Sequence, residues 1–383
     1  MNRYRVIVLG AGFSKPAGLP LCADLFAEII ALAKVKGLYD NILKRDIDAF
    51  LEYLERVKGV TISENQINFE EFISYLDVQH FLQLKGSDHW SAEGNLSQLV
   101  VRNLIALILH DRESAMQDKD FDLYEKFVER LEPGDVILTF NYDTILEKTF
   151  ARKQIPYRLF PNRFKSVSFV GGEVLKTDEI VLLKMHGSIN WFDISVFDEN
   201  QKALREQPIY VRPKHEVFAE QKELFGLEKI INGPYPVDSP LHKIYLTTNI
   251  EKYLAHSYFT STSPLIISPS YSKMVYLNPL TEFWRGYNDM GVGNGTVAVI
   301  GFSLPEHDAY IEQPLYYLID NFQNNTYYSS ILTKTNLKMV DRKQSQQEID
   351  DYKKRYRFVD WSRTDTYFKG FDEDSLDIIF EKP

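Results

Sequence analysis

Four runs of apolar residues in the chain have the length of a buried strand, and each is followed directly by a short polar signature. The runs are rich in Val, Ile and Leu and cover residues 4–9, 136–139, 180–185 and 296–300. Continuous runs of this kind are typical of strands buried on both faces, as in a parallel sheet covered by helices. The pattern therefore predicts an α/β fold: a Rossmann-like, mostly parallel sheet with helices on both faces.

The four signatures carry most of the candidate chemistry. They are GAGFS at 10–14, FNYD at 140–143, HGS at 186–188 and GFS at 301–303. In open α/β sheets, ligands bind beyond the carboxyl ends of the strands. If the four strands are parallel, the signatures meet at one edge of the sheet, and we expect the functional site there.

The region between the first apolar run and residue 136 has a different pattern. Apolar residues recur there at three- and four-residue spacing, which predicts helices over residues 45–58, 69–84, 96–112 and 121–131. A crossover between parallel strands needs only one helix, so the block is predicted to be an insertion after the first strand. We therefore divide the chain into a core of residues 1–38 and 132–337, a helical insertion of residues 39–131 and a C-terminal appendage of residues 338–383.

The composition narrows the class of protein. The chain has 383 residues, of which 44% are hydrophobic, and a formal net charge of −10, which argues against direct nucleic-acid binding through a broad basic face. Its single cysteine, Cys22, can form neither a disulfide within the chain nor a cysteine-based zinc site. The sequence enters a predicted strand without a leader, and no apolar run approaches membrane-spanning length, so we expect a cytoplasmic protein without membrane association.

The first signature has the features of a phosphate-binding turn. Gly10, Ala11 and Gly12 stand between a predicted strand and a predicted helix, where backbone amides can approach a phosphate closely. The third glycine of the common dinucleotide fingerprint is missing, because Lys15 and Pro16 occupy that stretch. The turn therefore favours phosphate binding and weakens the interpretation as an ordinary dehydrogenase.

Taken in order, the signatures resemble the motifs of sirtuins. The segment GAGFSKPAGLP (10–20) resembles the sirtuin opening motif, and TFNYD (139–143) resembles the TQNxD motif. HGS (186–188) matches the sirtuin HGS, and GFSL (301–304) resembles the late GTS segment. The resemblance covers the predicted sheet core and leaves the insertion, an irregular stretch at 192–256 and the C-terminal tail unexplained.

The departures from the sirtuin pattern are equally informative. Sirtuin deacylases continue the opening motif with Asp-Phe-Arg, where this chain has Leu21, Cys22 and Ala23, and they carry four cysteines that fold a zinc module. The chain is more similar to the sirtuin-like domains of bacterial anti-phage systems, including their GxSLPxxD stretch, which GFSLPEHD (301–308) resembles. The resemblance implies NAD as the substrate, cleaved to nicotinamide and ADP-ribose, and no structural zinc.

Hydrolysis of the nicotinamide N-glycosidic bond sets clear demands on the side chains. Nicotinamide leaves as a neutral group, so the site needs no acid; it must hold the ribose and deliver water to C1′. Asn141 offers an uncharged amide donor and carbonyl acceptor, suited to a ribose hydroxyl or the water. His186 can accept a proton near neutral pH. Asn141 and His186 are therefore the predicted catalytic residues.

The remaining signature residues are predicted to bind NAD. The hydroxyls of Ser14 and Ser303 are expected to contact phosphate or the adenosine ribose, assisted by the backbone amides of Ala11, Gly12 and Phe13. Asp143 either orients the loop or the nicotinamide amide, or caps the following helix. The predicted NAD-binding residues are Gly10, Ala11, Gly12, Phe13, Ser14, Asp143, Gly301 and Ser303, and no metal ligand is predicted.

The sequence thus favours an NAD hydrolase that depletes NAD in anti-phage defence by abortive infection. Two alternatives stay open: an NAD-dependent deacylase or ADP-ribosyltransferase, and a non-catalytic subunit that senses NAD or ADP-ribose. An unrestrained NAD hydrolase would kill its host, so we expect control through a homo-oligomer and a separate partner. By analogy with compact Sir2-type effectors, a HerA-type ATPase is the leading candidate for that partner and a short Argonaute the alternative.

Overall fold

The structure is a computed structural model. It describes residues 4–84, 94–161, 164–167, 173–175, 178–193, 226–233, 235–255, 263–271, 280–284, 290–305, 309–325 and 334–381. The strands in these residues are β1 Arg5–Leu9, β2 Val136–Thr139, β3 Tyr157–Arg158, β4 Phe164–Val167, β5 Glu173–Leu175, β6 Ile180–Lys184, β7 Trp191–Asp193, β8 Leu227–Lys229, β9 Ile244–Thr247, β10 Thr296–Ile300, β11 Leu337–Val340 and β12 Thr364–Tyr367.

A seven-stranded sheet forms the centre of the fold, in the order β12-β11-β10-β1-β2-β6-β3. All neighbouring pairs in it are parallel. Every residue of β6 and β10 is buried, which requires cover on both faces of the sheet. The predicted α/β fold is confirmed, and each of the four apolar runs contains a strand of this sheet.

Helices surround the sheet and fill the region between β1 and β2. The expected insertion after β1 is helical, and the four helices predicted there are confirmed within a few residues. The helices are α1 Ala11–Ser14, α2 Cys22–Val35, α3 Lys44–Tyr53, α4 Phe69–Phe81, α5 Leu96–Ser114, α6 Asp118–Glu129, α7 Ile145–Lys153, α8 Ile250–Ala255, α9 Ala309–Asn324, α10 Gln346–Arg355 and α11 Glu373–Ile379.

Local capping explains where the longest helix of the insertion starts. Asn95 and Gln98 form a capping box at the start of α5: the Gln98 amide donates to Asn95 Oδ1 at 3.0 Å, and the Asn95 amide donates to Gln98 Oε1 at 2.8 Å. Each side chain satisfies an amide that the first helical turn leaves without an intrahelical partner. The helix then runs from the capping box to Glu113, a buried carboxylate beside the predicted site.

The C-terminal segment differs from the expectation of an appendage. Its strands β11 and β12 pair in parallel with the rest of the central sheet. Neither strand has the apolar pattern of a buried strand. Strand β11 contains Lys338, which is fully buried and forms an ion pair with Asp365 at 2.5 Å. Strand β12 has the polar sequence TDTY. The C-terminal segment therefore contributes two strands to the core sheet.

Smaller sheets accompany the central one. The expected irregular stretch at 192–256 contributes, where it is described, to an antiparallel sheet in the order β7-β9-β8, while residues 194–225 lie outside the described residues. Strands β4 and β5 form a separate antiparallel pair. Within the described parts of the chain, no helix combines the length and apolar character that crossing a bilayer requires.

Candidate functional site

A cleft of about 840 Å³ lies at the carboxyl edge of the central sheet. The parallel strands carry their C-terminal loops to this edge, as the sequence predicted. Residues from all four signatures line the cleft. Of the predicted site residues, those that line it are Gly10, Ala11, Gly12, Ser14, Asn141, Asp143, His186, Gly301 and Ser303.

The glycines after β1 and β10 bring two loops into direct contact. A Cβ atom placed on Gly10 would lie 2.5 Å from the Gly301 carbonyl oxygen, and one on Gly12 would lie 2.7 Å from Gly301 Cα. Gly301 itself has φ +61°, and a Cβ there would lie 2.4 Å from the Phe13 nitrogen. Only glycine allows this approach, so these three glycines set the floor of the cleft.

The same contact changes the expected role of the first turn. The Gly12 amide donates to the Gly301 carbonyl and the Phe13 amide donates to the Gly10 carbonyl, both at 2.9 Å. These two amides were expected to bind phosphate, but they are used to close the turn and join it to the β10 loop. Of the three predicted amides, that of Ala11 is left as the candidate for phosphate.

Phe13 does not line the cleft, contrary to the prediction that it belongs to the ligand contacts. Its ring is 1% exposed and packs against Tyr124, Phe127 and Phe371, with ring centroids 4.5 to 5.3 Å away. An aromatic side chain of this size stabilises most when it is buried. Phe13 therefore joins the glycine turn to the helical insertion and to the C-terminal segment.

Asn141 is fixed by the first turn. Its Nδ2 donates to the Gly10 carbonyl at 2.9 Å and to Ser14 Oγ at 3.0 Å. The Gly10 carbonyl can only accept, so the amide nitrogen must face the turn. The donor of the Asn141 side chain is therefore occupied, and Oδ1 accepts no hydrogen bond from the described residues.

Ser14 connects Asn141 to Asp143 through hydrogen bonds. Ser14 is 2% exposed and donates through its hydroxyl to Asp143 Oδ2 at 2.6 Å, while the Ile145 amide donates to Asp143 Oδ1 at 3.2 Å. These two hydrogen bonds match two of the roles expected of Asp143: it orients the loop through Ser14, and it satisfies a backbone amide at the start of α7. Ser14 faces its hydroxyl toward the protein, which differs from its predicted role as a phosphate contact.

Buried charges surround Asp143. Burial and the nearby Glu113 carboxylate raise its pKa to about 6, and Glu147 acts in the same direction. The Lys184 ammonium and the Ser14 hydrogen bond oppose these effects and favour the ionised form. Asp143 is therefore a buried carboxyl of the site whose charge changes close to neutral pH.

Two further charged residues hold the 141–144 loop in place. Lys184, at the end of β6 and fully buried, donates to the Asp143 carbonyl and pairs with Glu147 at 2.8 Å. Glu113 of α5 accepts from the Thr144 amide at 2.8 Å, contacts the Thr144 hydroxyl, and pairs with Lys148 at 2.7 Å. Sequence reasoning missed both, because a lysine in a strand and a glutamate in a helix carry no signature of burial.

His186 lies on the opposite side of the loop, held by other elements. It is 6% exposed, its ring packs edge-on against Phe140 with centroids 5.0 Å apart, and its carbonyl accepts from the Ile267 amide at 2.9 Å. The hydroxyl of Tyr310, from α9, contacts His186 Nε2. Tyr310 was not predicted, since nothing in the sequence links residue 310 to residue 186.

The C-terminal segment supplies cleft residues that sequence reasoning also missed. The loops after β11 and β12 close the end of the cleft away from His186. A charged residue directly after a parallel strand could have marked them, had the short strand β11 been recognised. These residues are Asp341, Arg342, Lys343, Gln344, Glu348, Lys369, Gly370 and Phe371.

The fold and the cleft define an α/β protein with a ligand site at the carboxyl edge of a parallel sheet. A family model described as a SIR2-like domain matches residues 135–225. The matched region contains Asn141, Asp143 and His186, whereas the glycine turn and the 301–303 loop lie outside it. Residues 135–225 are therefore similar to a SIR2-like domain.

Two sirtuin structures match nearly the whole chain at low sequence identity. A sirtuin structure that addresses substrate affinity is 12% identical, with a TM-score of 0.35, and the match covers 99% of this chain and 93% of that chain. A Sir2 structure in complex with the inhibitor EX-527, 2′-O-acetyl-ADP-ribose and a deacetylated p53 peptide is 13% identical, with a TM-score of 0.32 and coverage of 98% and 91%. No curated protein matches the chain. The assignment of fold therefore depends on the sheet topology and not on these superpositions.

No cluster of three or more His, Cys, Asp or Glu side chains with metal-binding geometry occurs among the described residues. The expectation that the chain carries no structural zinc was inferred from its single cysteine, and it stays a prediction.

The raised pKa of Asp143 predicts a pH dependence of stability. A carboxyl whose pKa is higher in the folded than in the unfolded state stabilises the fold when protonated, and this contribution is lost as the pH rises through about 6. Between pH 4 and 6, the unfolding free energy of the wild type should fall relative to Asp143→Asn by up to about 1.4 kcal/mol per pH unit. Urea denaturation of both proteins at several pH values measures this, and parallel pH profiles would contradict it.

The position of Lys184 predicts a local effect of its removal. Lys184→Met leaves Glu147 and the Asp143 carbonyl without their cation, so we expect a loss of about 3 kcal/mol of stability and faster hydrogen exchange at residues 140–144. Lys338→Met is the matched control, since Lys338 is equally buried in the same sheet but pairs with Asp365 and Glu381. Exchange at 140–144 that is the same in wild type and Lys184→Met would show that Lys184 does not hold the loop.

Proposed function

We propose that the protein is an NAD+ glycohydrolase that cleaves NAD to nicotinamide and ADP-ribose. The observation that carries the proposal is that Asn141 and His186 lie on one cleft together with the glycine turn and the 301–303 loop. The SIR2-like match over residues 135–225 gives independent support, because it includes both proposed catalytic residues.

The order of the strands suggests how a dinucleotide would lie in the cleft. Asn141 and His186 follow the adjacent strands β2 and β6, and the glycine turn and Gly301 follow β1 and β10. The nicotinamide ribose belongs at β2 and β6, the phosphates at β1 and β10, and the adenosine at β11 and β12. From β2 to β11 there are three strand spacings, or roughly 14 Å, which an extended dinucleotide can span.

The side chains divide the chemical tasks. Asn141 has its amide nitrogen fixed by Gly10 and Ser14, so it offers Oδ1 as an acceptor for a ribose hydroxyl or for the attacking water. His186 takes a proton from the water or from a ribose hydroxyl. Since nicotinamide departs neutral, neither residue has to protonate the leaving group.

The surroundings of His186 favour a restrained enzyme. The hydroxyl of Tyr310 occupies Nε2, one of the two ring nitrogens that can take up a proton, and His186 is only 6% exposed. We propose that the isolated chain has low activity and that assembly frees His186. A bias of about 2.7 kcal/mol between two states suppresses activity a hundredfold, and one protein interface can supply it.

The biological setting belongs to the same proposal. We propose that the hydrolase acts in the cytoplasm as an NAD-depleting effector of anti-phage defence, as a homo-oligomer under the control of a HerA-type ATPase, with a short Argonaute as the alternative partner. The support is the resemblance of the signatures to those of anti-phage Sir2-type domains, together with the restraint that such an effector needs.

Removing either proposed catalytic side chain should abolish NAD cleavage. Asn141→Ala and His186→Ala are each expected to lower kcat by about a hundredfold or more and to leave a folded protein. Nicotinamide release from NAD alone, without a peptide, is the measurement, because hydrolysis needs no acyl-lysine acceptor. Near-native turnover of either variant, with an active wild type, would remove that residue from the mechanism.

Removing the hydroxyl that contacts His186 should release part of the restraint. Tyr310→Phe is expected to raise the basal turnover of NAD by up to about tenfold, the equivalent of one hydrogen bond. Tyr316→Phe, on the exposed side of the same helix, is the matched control. A lower turnover in Tyr310→Phe would contradict restraint and make Tyr310 a residue that positions His186 for catalysis.

A further inference from the structure

The end of the cleft opposite His186 is built from two short loops that are joined to each other. Arg342 and Lys369 form an antiparallel backbone bridge. The Gly370 amide donates to the Asp341 carbonyl at 3.1 Å, and the Lys343 amide donates to the Phe368 carbonyl at 3.0 Å. These bonds fix the loop after β11 against the loop after β12. The backbone that carries the side chains at this end of the cleft is therefore held in one conformation.

Asp341 stands directly after β11, at the end of the cleft where the adenosine ribose would lie, and an acidic residue is the type of side chain that binds ribose hydroxyls in Rossmann-like sites. Here its carboxylate is already engaged within the chain. Oδ1 accepts from the Arg342 amide and Oδ2 accepts from Lys343 Nζ, both at 2.7 Å, and Asp341 is 9% exposed. The carboxylate is therefore poorly placed to select an unmodified ribose.

Of the three cations at this end, one is paired with Asp341 and two are not. Lys343 is held by Asp341 and lies over the Tyr352 ring, 4.6 Å from its centroid. Arg342 and Lys369 are exposed, line the cleft, and form no ion pair with any described residue. The nearby Glu348 is engaged by the Gln344 amide at 2.8 Å. A guanidinium and an ammonium thus remain available beside the expected position of the adenosine ribose.

We propose that this end of the cleft binds a phosphate on the 2′ position of the adenosine ribose, so that the substrate class includes the 2′-phosphorylated dinucleotide, NADP. The proposal depends on the proposed function in one respect, namely that the cleft holds a dinucleotide with its nicotinamide at His186. Arg342 supplies a planar fork that matches two phosphate oxygens, and Lys369 supplies a second, point-like charge.

The test separates this proposal from catalysis by using ligands without nicotinamide. Calorimetry on the full chain would compare adenosine 2′,5′-bisphosphate with adenosine 5′-monophosphate. We expect the bisphosphate to bind at least tenfold more tightly and the difference to shrink as salt is raised. Arg342→Ala should reduce the ratio of the two Kd values to nearly one, whereas Lys354→Ala, an exposed cation of α10 outside the cleft, should leave the ratio unchanged.

A second arm measures turnover of NADP against NAD. We expect Arg342→Ala to lower kcat/KM for NADP by about tenfold and to change that for NAD much less. Equal binding of the two adenosine ligands, undetectable binding of both, or a ratio that Arg342→Ala does not alter would overturn the proposal. Selective binding of the bisphosphate, with no hydrolysis of either dinucleotide by the wild type or by Tyr310→Phe, would overturn the proposed function and leave the phosphate site standing.

Discussion

The close contact between the loops after β1 and β10 is the constraint on which the site depends. Three glycines make the contact, and a single Cβ on any of them would fall less than 3.0 Å from a backbone atom. The turn therefore cannot move without the 301–303 loop, and Asn141, bound to the Gly10 carbonyl, cannot move without the turn. In this chain the glycine signature is first a device for packing two loops together, and only its Ala11 amide is left as a candidate phosphate ligand.

The helical insertion is connected to the site through charge and aromatic packing. Glu113, at the end of α5, satisfies the amide and hydroxyl of Thr144 and raises the pKa of Asp143. Tyr124 and Phe127 of α6 enclose the ring of Phe13. A buried carboxylate is costly unless it is paired or hydrogen-bonded, so these partners have to stay in place. A shift of the insertion would therefore change both the position and the charge of the 141–144 loop.

The sequence was sufficient for the parts of the fold that local patterns encode. The four apolar runs, the helical periodicity of the insertion and the edge at which Asn141 and His186 meet follow from burial and from parallel-strand geometry. The features that the sequence could not predict depend on contacts between residues that are far apart in the chain. Lys338 makes β11 read as surface although Asp365 and Glu381 neutralise it, and Tyr310 reaches His186 only because α9 packs there. Tertiary contacts likewise determine the direction of the Ser14 hydroxyl, which points toward Asp143 and not toward a ligand.

The two proposed catalytic residues are held by different parts of the molecule. Asn141 is tied to the β1 turn, and through Ser14 to Asp143. His186 is tied to the 263–271 segment through Ile267 and to α9 through Tyr310. A movement of α9 could therefore change His186 while Asn141 and the phosphate end of the cleft stay fixed. Substrate binding and turnover would then be controlled separately, since a restrained enzyme could hold its dinucleotide and still wait for His186 to be freed.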